Sequence, residues 1–464
     1  MNSLDERKAL APWADELPPD WRHCRIDGVA DVLFSNVDKH TIEGEESVRL
    51  CNYVDVYKND RISAHLDFMN ASAESREIEK FTVRRHDVLA TKDSETCDDI
   101  AISALVAEDI PGVLCGYHLA MIRPRSRSVV GPYIAWAHAS KPFRAQYEAK
   151  AVGVTRFGLS QHSFRSACLP LPPRPEQERI AAYLDASCAA IDAAVAAKRR
   201  QLETLDALRK SIIQRAVTCG IADNQKLKRI NNDWLAEVPV HWKVCRIKRV
   251  LEQMDYGIGV STIEDGRYPV LKMGHLQDGE IRYSKMDFVD EVDDNLILET
   301  GDLLFNRTNS PDQVGKAAIF RKSRTDRITF ASYLVRLRVD HRANPWFLNY
   351  VFNCDGFLGF ARRLAIPSVQ QSNLNSTRYA QMFIPLPPIE EQESIRAYLD
   401  KKTAEVKRIV TTMEFQIDTL NAYRKSLIHE CVTGQRRIGE GELQRVLTRK
   451  DDLSALETQE VLHA

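Results

Sequence analysis

The sequence predicts a mixed α/β (α+β) protein built from two tandem copies of one unit. Three observations lead to this fold class. A series of motifs recurs along the chain, short β-branched and aromatic runs fill the first part of each copy, and a seven-residue apolar repeat fills the second part. We therefore expect two tandem mixed α/β domains joined by two long helices that pair as an antiparallel coiled coil, with a pseudo-two-fold internal repeat.

The duplication is visible in motifs that keep their order along the chain. The spacing between matched motifs falls from 221 residues (242 − 21) to 215 (384 − 169), so the second copy is six residues shorter in its first half. The matched motifs are WADELP at 13–18 with WLAEVP at 234–239, WRHCRI at 21–26 with WKVCRI at 242–247, and LPLPPRPEQE at 169–178 with IPLPPIEEQE at 384–393.

The motifs divide the chain into five segments. The first globular domain with its N-terminal segment occupies 1–168, and the first helical segment occupies 169–220. The second globular domain with its linker occupies 221–383, the second helical segment 384–434, and a charged tail 435–464.

Each long helix is predicted to begin just after a proline-rich run. The residues before each proline are pushed out of the helical region, and Pro175 followed by acidic residues makes a favourable first turn. Beyond this start, apolar residues alternate at spacings of four and three, which is typical of a coiled-coil seam. The alternative is that each stripe packs only on its own domain. The predicted seam, which we also expect to dock partners, comprises Leu184, Ile191, Leu205 and Ile212 with Leu399, Val406, Leu420 and Leu427.

Composition excludes several classes of protein. Hydrophobic residues make up 44% and charged residues 28%, so the chain is neither disordered nor collagenous. Ten cysteines without a C-x-x-C pair indicate reduced thiols rather than a disulfide frame or zinc site. No apolar run reaches membrane-span length and no signal peptide is present, which predicts a cytoplasmic protein without a membrane partner. A net charge of −1 still allows a DNA-binding protein whose positive charge lies on one face.

Motifs for catalysis are missing from the sequence. It contains no phosphate-binding loop, nucleophile elbow, H-E-x-x-H helix, metal-dependent nuclease motif or methyltransferase amino-group loop. We therefore expect no catalytic residue, no metal site and no cofactor bound by this chain.

Polar runs in the two globular domains carry residues suited to DNA. Arginine and lysine match guanine edges and phosphates, whereas asparagine and glutamine match adenine edges. The alternative is that these loops are polar because they are solvated. Arg307 follows a short strand, and we favour a phosphate contact for it. The candidate DNA-binding residues are Lys92, Arg156, Gln161 and His162 in the first copy, and Asn306, Arg307, Thr308, Asn309, Gln370, Gln371 and Asn373 in the second.

Taken together, the duplicated motifs resemble the specificity (S) subunit of type I restriction–modification systems. The resemblance covers the chain to about residue 434. It rests on the segment WLAEVPVHW at 234–242, on the helix ends AVTCG at 216–220 and CVTG at 431–434, and on the paired helix starts. These starts contain Pro172, Pro173, Glu176 and Gln177 in the first copy, and Pro387, Pro388, Glu391 and Gln392 in the second.

The resemblance implies two target recognition domains, each reading one half of a bipartite asymmetric site in duplex DNA. It implies that the helical regions act as a spacer and docking surface for two methylation subunits, with restriction subunits as further partners. S-adenosylmethionine, ATP and Mg²⁺ are then expected on those partner subunits. Cys219 is an insertion relative to the second copy, and the tail 435–464 has no counterpart in the first. Two alternatives remain open, a coiled-coil adaptor without DNA affinity and a nuclease or methyltransferase with an unrecognised site.

Overall fold

The computed structural model describes residues 16–125, 128–321, 327–367 and 371–448. The chain forms two compact units. Unit 1 contains residues up to 198 together with those from 415 onwards, and unit 2 contains residues 199–414. Each of the two long helices therefore contributes one part to each unit. The domain boundaries drawn from the sequence stay a prediction.

Before the first long helix, unit 1 contains thirteen described strands and five short α-helices. The strands are β1 (Arg22–Arg25), β2 (Ala30–Phe34), β3 (Glu46–Cys51), β4 (Arg61–Ile62), β5 (Met69–Ala73), β6 (Val88–Thr91), β7 (Asp93–Ser94), β8 (Ser103–Val106), β9 (Val113–Cys115), β10 (Leu119–Pro124), β11 (Val152–Gly153), β12 (Phe157–Gly158) and β13 (Cys168–Leu171). The helices are α1 (Tyr53–Lys58), α2 (Ser75–Phe81), α3 (Gly131–Ala139), α4 (Lys141–Glu148), α5 (Gln161–Arg165) and the long α6 (Arg174–Cys219), which continues into unit 2.

Unit 2 adds sixteen described strands and three short α-helices before the second long helix. The strands are β14 (Leu227–Arg229), β15 (Glu237–Pro239), β16 (Lys243–Arg246), β17 (Leu251–Tyr256), β18 (Tyr268–Leu271), β19 (Leu276–Gln277), β20 (Gly279–Ile281), β21 (Asp287–Val289), β22 (Leu303–Asn306), β23 (Thr308–Asn309), β24 (Ala317–Ile319), β25 (Thr329–Phe330), β26 (Leu334–Val339), β27 (Ile366–Pro367), β28 (Ser372–Asn373) and β29 (Phe383–Leu386). The helices are α7 (Pro345–Asn353), α8 (Asp355–Leu364), α9 (Ser376–Ala380) and the long α10 (Ile389–Val432), which continues into unit 1.

The strand orders of the two units match one another. The main sheet of unit 1 has the order β2-β10-β6-β8-β4, and that of unit 2 has the order β17-β26-β22-β24-β20 with β19 added at the edge. Among the described strands of these sheets, the β4–β8 pair of unit 1 and the β20–β24 pair of unit 2 are parallel, and the other pairs of the five matched strands are antiparallel. Each unit also has two three-stranded sheets, β5-β3-β9 and β11-β12-β7 in unit 1, and β21-β18-β25 and β27-β28-β23 in unit 2. The mixed α/β fold class and its duplication are thereby confirmed.

The central strand of each main sheet is buried on both faces. Val88, Leu89 and Ala90 of β6 are fully buried, as are their counterparts in β22. A continuous apolar strand is expected where both faces of a sheet are covered. Each strand therefore fixes the position of the polar residues that follow it.

A buried ion pair recurs at the same place in both units. Asp87 precedes β6 and contacts Arg123 through both carboxylate oxygens, at 2.9 and 2.7 Å. Asp302 contacts Arg338 in the same way at 2.8 and 2.9 Å, and both residues lie 215 positions further along the chain. The two globular parts thus share an internal contact although their sequences differ widely.

One glutamine near the start of each long helix, Gln177 or Gln392, makes the same set of hydrogen bonds in both units. Gln392 is fully buried, accepts a hydrogen bond from the backbone N–H of Asn344 at 2.7 Å, and donates to the carbonyls of Arg342 and Pro387 at 3.0 and 2.8 Å. Gln177 makes the equivalent three contacts at the start of α6. Each side chain therefore ties the start of a long helix to the globular part of its unit.

The two long helices run antiparallel within each unit. In unit 1, Lys198 donates to Gln416 at 2.6 Å, and Asp192 pairs with Arg424 at 3.1 Å, so the numbering falls on one helix as it rises on the other. In unit 2, Val217 of α6 lies in the same apolar core as Ile395 of α10. The predicted antiparallel pairing is confirmed.

Burial along the predicted seam varies. Leu184, Ile191, Leu399, Val406 and Leu427 are buried, whereas Leu205, Ile212 and Leu420 are half-buried. By length and composition alone, α6 contains a stretch apolar enough to cross a membrane. The same helix carries Leu184 and Ile191, which are buried in unit 1.

Part of the tail folds back onto unit 1. Residues 440–448 are helical. Ile438 is buried, and its carbonyl accepts a hydrogen bond from Nε of Arg179 at 3.2 Å. Arg437 pairs with Asp20 at 2.8 Å and with the buried Glu176, which also accepts from the indole of Trp21. The described part of the tail is therefore an ordered element of this unit.

Candidate nucleic-acid interface

In unit 1, the backbone of Lys92 is held on both sides directly after β6. Its N–H donates to the carbonyl of His118 at 3.1 Å, and its own carbonyl accepts from the N–H of Leu159 at 2.9 Å. Since β6 is buried in the main sheet, the position of Lys92 is fixed by the core.

The side chain of Lys92 lies between aromatic rings. Its Nζ is 5.1 Å from the ring centre of Phe34 and 4.3 Å from that of Tyr117, within the range of a cation–π interaction. It also donates to the carbonyl of Ser35 at 3.1 Å. Burial lowers the pKa of Lys92, although nearby Asp93 opposes the shift. The result is a half-buried cation beside an exposed tyrosine.

Unit 2 repeats this arrangement with Arg307. The N–H of Arg307 donates to the carbonyl of Tyr333 at 3.0 Å, and its carbonyl accepts from Leu374 at 2.7 Å. All three residues lie 215 positions after their unit 1 counterparts. The guanidinium of Arg307 lies 5.0 Å from the ring centre of Tyr256, which takes the place of Phe34. Each unit therefore presents a cation, stacked on an aromatic ring, at the end of its central strand.

A small sheet lies beside each cation. In unit 1, β7 follows Lys92 directly and pairs with β12, where Gly158 lies opposite Asp93. Arg156 lies just before β12 and pairs with Asp93, with Nε at 3.2 Å from the carboxylate. Nδ1 of His118 contacts the other oxygen of the same carboxylate at 2.7 Å. This hydrogen bonding to Asp93 raises the pKa of Arg156.

In unit 2, the corresponding sheet brings together three of the predicted DNA-binding residues. Thr308 of β23 lies opposite Asn373 of β28, and Nδ2 of Asn373 donates to the hydroxyl of Thr308 at 3.2 Å. Asn309 lies opposite Ser372, and Gln371 is exposed immediately before β28. Gln370 lies outside the described residues.

Three of the predicted DNA-binding residues, Gln161, His162 and Asn306, lie outside the two small sheets. Gln161 donates to the carbonyl of Val32 at 2.9 Å, so its amide supports the main sheet. His162 is exposed on α5. Asn306 is only 1% exposed, and its Nδ2 points to the carbonyl of Met273 at 3.5 Å. In this structure the Asn306 side chain lies inside the domain, because it belongs to the buried strand and precedes the turn.

Sequence reasoning missed the aromatic side of the site. Phe34 and Tyr256 support the two cations, while Tyr117 and Tyr333 are half exposed next to them. The matching of Lys92 with Arg307 at the 215-residue spacing was a usable signal. Among the residues that the structure describes, no group of three His, Cys, Asp or Glu side chains could hold a metal ion.

The chain is similar to a known family and to several named proteins. Residues 239–412 match the family described as type I restriction modification DNA specificity domain. A putative type I restriction enzyme MjaX specificity subunit from Methanocaldococcus jannaschii is 27% identical over 43% of this chain and 47% of its own length. The type I restriction enzyme EcoKI specificity subunit from Escherichia coli K12 is 22% identical over 70% of this chain and 68% of its own length.

Solved structures share the fold. One, described in work on complex assembly and conformational transition of the type I R-M system, matches with a TM-score of 0.71 at 17% identity, covering 90% of this chain and 98% of that one. The HsdS subunit from Thermoanaerobacter tengcongensis matches with a TM-score of 0.52 at 18% identity over the same shares.

Residues 239–412 therefore match a DNA specificity domain, and the duplicated fold of the chain is shared with solved structures of this type. The relatives are named as type I restriction enzyme specificity subunits. Over these ranges the chain is similar to type I restriction enzyme specificity subunits. The match spans about half the length of the M. jannaschii relative.

Proposed function

We propose that each unit reads one half of a bipartite asymmetric DNA target, and that the chain directs methylation and cleavage by partner subunits. The observation that carries this proposal is the duplicated cation on an aromatic ring, Lys92 in unit 1 and Arg307 in unit 2. A cation fixed at a strand end by buried backbone contacts suits a DNA phosphate, since most contacts between proteins and DNA go to the backbone.

Differences between the two units support an asymmetric target. Lysine stands in one site where arginine stands in the other, and the neighbouring side chains also differ. Equal half-sites would require equal readers. The paired helices would set the separation of the two half-sites.

The partners proposed for the chain are two methylation subunits docked along the helices, together with restriction subunits. The seam from Leu184 to Ile212 and from Leu399 to Leu427 would hold this docking surface in shape. S-adenosylmethionine, ATP and Mg²⁺ would be bound by those partners in the cytoplasm, and none by this chain.

The test is DNA binding by the assembled methylation complex at several salt concentrations. Replacing Lys92 or Arg307 with alanine should weaken binding to all sequences alike and lower the salt slope by about one unit each. Arg125→Ala is the matched control, because Arg125 forms an exposed ion pair with Asp31 at the other end of β2 and β10. An unchanged slope in both variants would place these cations off the DNA. A wild-type complex without salt-dependent binding would instead favour the adaptor alternative.

A further inference from the structure

We propose that Arg156 and Gln371 occupy the same reading position in the two units, and that Arg156 reads a guanine while Gln371 reads an adenine. This inference rests on the proposed function and adds the chemistry of one base in each half-site.

The two residues are equivalent by three measures. They are 215 positions apart, the spacing that also relates Lys92 to Arg307. Each lies directly before the central strand of its small sheet, β12 or β28. The registers agree as well, since Gly158 lies opposite Asp93 in unit 1 and Asn373 lies opposite Thr308 in unit 2.

Arg156 is held in place before any ligand binds. Asp93 accepts from its guanidinium, and the carboxylate is itself held by His118 at 2.7 Å. More than half of the Arg156 side chain (57%) stays exposed, while only 16% of Asp93 does. A side chain that is already ordered loses less entropy on binding. A fixed guanidinium fork matches O6 and N7 of guanine.

The carboxylate also argues against a phosphate contact for Arg156. Asp93 offsets the positive charge of the guanidinium, and it would lie close to any phosphate bound there. Coulombic repulsion between those anions disfavours that ligand. A base edge, which is neutral, carries no such penalty.

Unit 2 replaces this group with neutral hydrogen-bonding side chains. Thr308 stands where Asp93 stands, and Tyr333 stands where His118 stands. Gln371 is exposed, and its amide can both donate and accept. That pattern matches N6 and N7 of adenine. The amide of Gln371 is uncharged and needs no carboxylate beside it, which is consistent with threonine at position 308 in place of Asp93.

The experiment begins with methylome sequencing, which defines the target of the complete system. Binding of the purified complex of full-length chain and methylation subunits is then measured on duplexes with each base pair of the target replaced in turn. Arg156→Ala should lose about 5- to 150-fold on the native target. It should also lose discrimination at a single G·C pair of one half-site, and Arg156→Gln should shift the preference there towards A·T.

Unit 2 provides the reciprocal test. Gln371→Arg should shift one position of the other half-site from adenine to guanine. The controls are Arg125→Ala for unit 1 and Gln277→Ala for unit 2, because Gln277 is also exposed but lies on β19. These controls should keep the native preference at every position.

Two results would overturn the inference while leaving the proposed function intact. One is uniform weakening on all duplexes, which would make Arg156 a phosphate contact. The other is unchanged discrimination in both Arg156→Gln and Gln371→Arg with normal DNA binding. A wild-type complex that does not bind its methylated sequence in a salt-dependent way would overturn the proposed function itself.

Discussion

Replacing Gln392 with leucine should destabilise unit 2 strongly, although the side chains are similar in size. The amide of Gln392 joins three backbone groups, the N–H of Asn344 and the carbonyls of Arg342 and Pro387. Leucine would leave all three without this partner in a position that is fully buried.

The magnitude follows from those three groups. An unsatisfied buried polar group costs about 1–3 kcal/mol, so the free energy of unfolding should fall by at least about 3 kcal/mol. For a domain of the size of unit 2, this corresponds to a melting temperature lower by about 6–12 °C.

Differential scanning calorimetry of the full chain would measure this change. Gln371→Leu is the control, since Gln371 is exposed, and its melting temperature should stay within about 2 °C of the wild type. A loss of less than 0.5 kcal/mol (about 1–2 °C) in Gln392→Leu would refute the argument that this glutamine ties the helix start to the domain.

Two further predictions concern unit 1. Burial lowers the pKa of His138 to about 4, below its unfolded value of about 6.5, so protonation favours the unfolded state. As the pH falls from 6.5 to 4, the free energy of unfolding of the wild type should therefore fall by about 3 kcal/mol more than that of His138→Gln. Urea unfolding at each pH would measure this difference. Equal dependence of the two unfolding free energies on pH would contradict it. Leu427 is 1% exposed, so Leu427→Asp should cost several kcal/mol and release methylation subunits in size-exclusion chromatography. Leu208→Asp is the control, because Leu208 is 50% exposed, and equal behaviour of the two variants would count against the seam.

The parts of the fold that the sequence predicts well are those with a local signal. The start of α6 near Pro175 and the antiparallel pairing follow from proline chemistry and from apolar spacing along single helices. Even so, Leu208 and Tyr423 fall on the same seven-residue repeat and are half exposed. Spacing gives the face of a helix, whereas the depth of burial depends on what covers that face.

The candidate site was harder to predict, because it forms from short segments far apart in the chain. Strand β7 has two residues and pairs with β12 more than sixty positions later, so no periodicity marks either one. Asn306 belongs to a polar run yet is buried as the last residue of β22. The aromatic ring below each cation comes from β2 or β17, and only the tertiary fold shows that contact.

The most direct measurement is methylome sequencing of cells that carry the complete system with a hybrid chain. In the hybrid, residues 21–168 are exchanged for the matching segment of a relative. If each unit reads its own half-site, one half of the methylated sequence should change while the other half stays the same. A change in both halves, or in neither, would contradict the assignment of one reader to each unit.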